Sequence, residues 1–129
     1  MLLYVVEADI PILVWLLGWA LVLAMKGDHE KHKKVAIWHG VATWASAAIV
    51  FVLVRMGFRM GQSAPEWILD LHLNIIYTIP PLLILLAITA MNRKSLAHKG
   101  TAAAYLMLWA AALVTGGMIF AMDRGWIQG

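Results

Sequence analysis

The chain has 129 residues, 63% of them hydrophobic, with a mean hydropathy of +0.80 and a formal net charge of +3. Soluble domains are about 45–50% apolar, and a domain this short buries only about two-thirds of its surface, so the composition points to lipid rather than water as solvent. The absence of cysteine excludes disulfides, thiolate metal sites and thioether attachment of haem.

Four apolar stretches are long enough to cross a bilayer, which takes roughly 20 helical residues. The first is expected over residues 10–25, extending back toward Tyr4. Asp9 followed by Pro11 reads as its start. Glu7 and Asp9, with no basic residue before them, argue against a cleaved signal peptide. A basic segment, KGDHEKHKK (26–34), follows, and the second helix is expected over 35–58. On it His39, Thr43, Ser46, Val50 and Gly57 share one face at 100° per residue. His32 lies two turns earlier on the same side if the helix begins that early.

The third helix is expected over 66–91, opened by a capping box in which Ser63 is the cap and Glu66 the fourth residue, with Pro65 in the first turn. Asp70, Asn74, Tyr77 and Thr78 share a face on it, with His72 turned away. Pro80 and Pro81 donate no amide hydrogen and predict a kink. A second basic segment, RKSLAHKG (93–100), leads to a fourth helix expected over 101–122. There His98, Ala102, Tyr105, Trp109 and Gly116 share a face. Gly116 and Gly117 would admit another backbone or a flat cofactor. Trp38, Trp67 and Trp126 fall near helix ends, as interfacial anchors do. Trp15, Trp44 and Trp109 lie deeper, as packing residues or pocket walls.

The first and third turns carry seven of the ten basic residues: Lys26, Lys31, Lys33, Lys34, Arg93, Lys94 and Lys99. Arg55, Arg59 and Arg124 lie on the other side, with Glu7, Asp9, Glu66, Asp70 and Asp123. Basic residues in short loops mark the cytoplasmic face, which places both termini outside a multi-pass protein of the inner (plasma) membrane. The lysines are used by this topology, which leaves no footprint for nucleic acid. The partners expected are the bilayer and other membrane subunits.

A shift of 66 residues brings Met25 onto Met91, His32-Lys33 onto His98-Lys99, Met56 onto Met122, and Ala24, Ala36 and Ala45 onto Ala90, Ala102 and Ala111. The fold class expected is therefore an all-α, integral membrane four-helix bundle in one domain, built as two parallel helical-hairpin repeats.

Ionisable residues within membrane spans are costly and mark functional sites. Three readings of the histidines stand side by side. In the first, His39, His72 and His98 are candidate ligands of a b-type haem, with Met56, Met60, Met118 or Met122 as a further axial donor. In the second, His72 and Asp70, together with Glu7 and Asp9, hold a divalent metal, and His29 and His32 form a weaker clamp. In the third, the imidazoles hydrogen-bond within the bundle or reach the headgroups. No nucleophile elbow, hydrolytic triad or phosphate loop is present.

Together these motifs resemble a known group. His32-Lys33-Lys34 and His98-Lys99 precede the second and fourth helices, Leu71-His72-Leu73 opens the third ahead of Pro80-Pro81, and Thr115-Gly116 stands late in the fourth. The chain is similar in this order to a small four-helix membrane family associated with cytochrome oxidase assembly, and distantly to haem A synthase and b-type membrane cytochromes. Members usually carry a further histidine near the outer end of the second helix, where this chain reads VLVRMG (52–57). The resemblance implies a haem- or oxidase-linked respiratory membrane protein, either a b-type cytochrome-like subunit or an assembly factor. The alternative is a non-catalytic transmembrane subunit of a larger energy-converting complex. A transporter or channel is a third, with few buried charges to support it.

Overall fold

The computed structural model describes residues 2–58 and 61–128, with side chains from Glu7 onward. Among these residues the chain is all-α, with helices α1 (Leu2–Met25), α2 (His29–Arg55), α3 (Glu66–Met91) and α4 (Ser95–Asp123). All four are long and apolar enough to cross a membrane, which is compatible with a multi-pass membrane protein. They form two compact units, residues 1–58 and 59–129: α1 packs on α2, and α3 packs on α4.

Three helices begin earlier than the sequence suggests. α1 starts at Leu2 and carries Pro11 within it rather than in its first turn, because the apolar run continues upstream. The basic segment 26–34 is not a loop. Its turn is only three residues long, and α2 starts at His29 on an Asp28 cap whose side chain accepts from the Lys31 amide at 3.2 Å. Asp is among the best N-cap residues, and Lys and Glu are good helix formers. α4 likewise starts at Ser95, so His98 lies inside the helix.

The backbone hydrogen bonds of the two turns match one for one at the 66-residue shift, although the Asp28 side-chain cap has no counterpart at Lys94. The Gly27 amide donates to Ala24 and the Asp28 amide to Leu23; in the second unit Arg93 donates to Ala90 and Lys94 to Thr89. This is the Schellman pattern, which requires a left-handed residue just past the helix. Gly27 supplies it at φ +76°, whereas the second hairpin uses Arg93 at φ +54°. The shift slips at the other end, where α2 and α4 close with the same pattern on Gly57 and Gly125. α4 is 29 residues long and α2 is 27, so the repeat keeps one end of the hairpin and not the other.

α3 opens at Glu66 as expected, but not through a capping box. Its N-cap is Pro65, with no side-chain cap bond. The Asp123 carboxylate, at the end of α4, instead accepts from the amides of Gly61 (3.0 Å) and Ser63 (3.2 Å), tying the entering segment to the far helix. Ile68, Ile119 and Met122 form the buried cluster beneath it, with Leu69 and Met118 packed alongside. α3 runs unbroken through Pro80 and Pro81.

Candidate functional site

Four histidines are turned from one helix onto its hairpin partner, and each commits the same ring atom. In the first unit the Nδ1–H of His32 donates to the carbonyl of Ala20 (2.6 Å), and that of His39 to the carbonyl of Leu13 (3.0 Å). In the second, the Nδ1–H of His98 is shared between the Leu86 carbonyl (3.1 Å) and Thr89 Oγ1 (3.2 Å). A carbonyl can only accept, so in these three rings Nδ1 must carry a proton. His32 to Ala20 and His98 to Leu86 are again related by 66 residues. The pair of similar motifs noted in the sequence therefore makes one conserved contact within the molecule, a clasp between neighbouring helices near the turn.

His39 is the most enclosed of the four, 3% exposed. The Thr43 hydroxyl, one turn on, approaches its Nε2 at 3.4 Å. The corresponding position in the second hairpin is Tyr105, 2% exposed. This shared depth of burial explains why both positions fall on the inward face. Val50 and Trp109 are buried on the same two faces, as the helical spacing predicts.

His72 faces α4 and makes the only one of the four Nδ1 contacts, among the described residues, that falls solely on a side chain. Its Nδ1 lies 2.7 Å from Thr115 Oγ1, which itself donates to the Ala111 carbonyl at 2.8 Å. The ring lies against Gly116: a Cβ there would stand 2.9 Å from His72 Cε1. Gly116 therefore receives an imidazole edge, while Gly117 faces nothing within 4 Å.

Several expected groupings are not formed. Asp70 is exposed, whereas His72 is turned onto α4. Two residues apart on a helix is about 200°, so the hairpin does not bring Asp70 to His72. Among the described residues no three His, Cys, Asp or Glu side chains gather to hold a metal. His29 is exposed while His32 is turned onto α1, so they do not close a clamp. Asp70, Asn74, Tyr77 and Thr78 do share a face, but it is the exposed one. Trp109 is buried, whereas Trp15 and Trp44 are exposed on the hairpin surface. Of the candidate methionine ligands, Met118 and Met122 fill the cluster around Ile68, Met56 is exposed, and Met60 lies outside the described residues.

The donor chemistry suits a haem or metal in one respect. An imidazole that binds metal through one nitrogen almost always donates the other N–H to a carbonyl or similar acceptor, and these rings already do so through Nδ1. Within each hairpin, however, the imidazoles differ in depth. His32 and His39 are about 10 Å apart along α2 at 1.5 Å per residue, and His98 is about 25 Å from the level of Thr115, where His72 contacts α4. One hairpin therefore supplies one histidine ligand at a given depth.

Sequence reasoning found the inward faces of α2 and α4 but missed Thr89, Thr115, Leu13 and Ala20 as partners. Carbonyl acceptors leave no trace in side-chain identity. A threonine signal was available in principle, since Thr115 immediately precedes Gly116. Comparison with protein-family models, curated proteins and solved structures finds no match to this chain.

Proposed function

We propose that this protein is a haem- or oxidase-linked membrane protein of the respiratory chain, a small b-type cytochrome-like subunit or an oxidase assembly factor. The observation that supports this most directly is the common arrangement of His39, His72 and His98, each with Nδ1 bonded to its partner helix. Such bonds orient a ring and raise the basicity of its other nitrogen, as in metal-bound histidines. His39, His72 and His98 are the residues that would hold a haem b, which would supply one-electron chemistry that no side chain here provides. The chain's own part is to orient the rings, keep them within an apolar surround and fix their tautomers. In the inner membrane the basic turns would face the cytoplasm and both termini the outside.

The test is the visible spectrum of the purified protein after dithionite. Sharp α and Soret bands that vanish in His39→Ala or His72→Ala are the expected result. A pure, folded and colourless protein would reject it. That outcome favours the second reading, a non-catalytic transmembrane subunit. Its supporting observation is the apolar exterior of each hairpin, where Trp15, Val41, Met107 and Val114 are all more than half exposed. Lipid or neighbouring subunits would cover such surface, and the histidines would then act as clasps alone.

A further inference from the structure

We propose that Thr115 and Gly116 are positioning residues for His72, holding its imidazole so that Nε2 is the atom offered to a metal centre of the haem class. The ligand named here rests on the function proposed above; the positioning rests on geometry alone.

The Thr115 hydroxyl has one proton and several close neighbours. Ala111 O lies at 2.8 Å, Ala112 O at 3.2 Å and His72 Nδ1 at 2.7 Å. The two carbonyls accept only. If the hydroxyl proton points at Ala111 O, then Nδ1 must bring its own proton to Oγ1, and both short contacts are good hydrogen bonds. If the hydroxyl instead donated to Nδ1, Oγ1 would face the Ala111 carbonyl at 2.8 Å with no hydrogen between them. The first arrangement satisfies every group, so the helix carbonyl, acting through Thr115, sets the tautomer of His72. Nδ1 is protonated and Nε2 carries the lone pair.

Gly116 makes room for the Cε1 edge of the same ring. A Cβ at this position would fall 2.9 Å from Cε1, 3.6 Å from Nε2 and 3.7 Å from Nδ1. The missing side chain is thus the space the imidazole fills. Together the two residues set the hydrogen-bond direction and the seat of the ring. His32, His39 and His98 are held by backbone carbonyls, which substitution cannot remove. His72 is held by a hydroxyl, so its tautomer is open to mutation.

The experiment uses the full chain in detergent, with ¹⁵N-labelled histidine and the His72 signals assigned through His72→Gln. Long-range ¹⁵N–¹H spectra, recorded without haem, are expected to show His72 protonated at Nδ1 and not at Nε2. Thr115→Val, near-isosteric, should lose this pattern, and Thr115→Ser should keep it. In a parallel titration with ferric haem, Thr115→Val should weaken binding at least about tenfold, the effect typical of losing an outer-shell partner, while Thr115→Ser binds as the parent does. A protonated Nε2 in the parent, or an unchanged His72 pattern in Thr115→Val, would overturn the positioning role. Haem binding equal in the parent and Thr115→Val would overturn the link from Thr115 to ligation. A parent protein with the stated tautomer that takes up no haem would sink the haem reading and the ligand named here while leaving the positioning intact.

Discussion

Replacing Gly116 with alanine separates helix propensity from the His72 contact, because the two effects have opposite signs. Alanine is favoured over glycine inside a helix by about 0.8–1 kcal/mol. Gly117 supplies the reference, since nothing lies within 4 Å of a Cβ placed there. Gly117→Ala should therefore stabilise the protein by about that amount. At Gly116 the new methyl would stand 2.9 Å from His72 Cε1, closer than carbon atoms pack. The ring must shift, which strains or breaks its 2.7 Å bond to Thr115. Overpacking costs about 1–3 kcal/mol, and hydrogen bonds between membrane helices are worth about 0.6 kcal/mol, up to about 1.7. Against the propensity gain, Gly116→Ala should be net destabilising by about 1–2 kcal/mol. In a His72→Ala background the obstacle is gone, and the same substitution should become stabilising, as at Gly117. The assay is unfolding in mixed micelles followed by circular dichroism, with all variants compared in one cycle. If Gly116→Ala and Gly117→Ala are equally stabilising in the parent, the imidazole does not occupy the Gly116 seat.

Four further substitutions have expected outcomes in the same assay. Gly61 has φ +75° and a Cβ there would meet Leu69 Cδ2 at 2.6 Å and Ile119 Cγ2 at 2.7 Å; Gly61→Ala should cost about 2–4 kcal/mol from strain and overpacking together. Gly57→Ala, at φ +87° with open space around it, should cost only the backbone strain of about 1–2 kcal/mol, and equal losses at the two sites would refute the packing argument. Asp123→Ala should destabilise the second unit by about 1.5–3 kcal/mol through loss of the bonds to the Gly61 and Ser63 amides, with hydrogen exchange at those two amides rising most. Arg93→Gly should stabilise the second hairpin by about 1 kcal/mol, because Arg93 holds the left-handed position that Gly27 fills in the first; a neutral or negative effect would mean that the Arg93 side chain contributes more than its backbone costs.

The number and type of elements were legible in the sequence because apolar runs of membrane-spanning length have few alternatives, and the limits of α3 at Glu66 and Met91 follow from Pro65 and the turn after Met91. The helix starts at Leu2, His29 and Ser95 were less legible. Charged residues such as those of HEKHKK read as loop by hydropathy, yet Lys and Glu favour helix, and the Asp28 cap decides where α2 begins. Ser63 and Glu66 had the right spacing for a capping box, but Asp123, distant in sequence, took the amide of Ser63 instead.

By itself the sequence determined the solvent suited to this chain, the four helices, the internal repeat and the inward faces bearing His39, Tyr105 and Trp109, because hydropathy, helical period and self-similarity are properties of residue order. Tertiary structure alone decided what each histidine touches. Leu13, Ala20 and Leu86 act through their carbonyls, which every residue possesses, and Gly116 acts through the side chain it lacks. Only packing one helix on another can single out such groups.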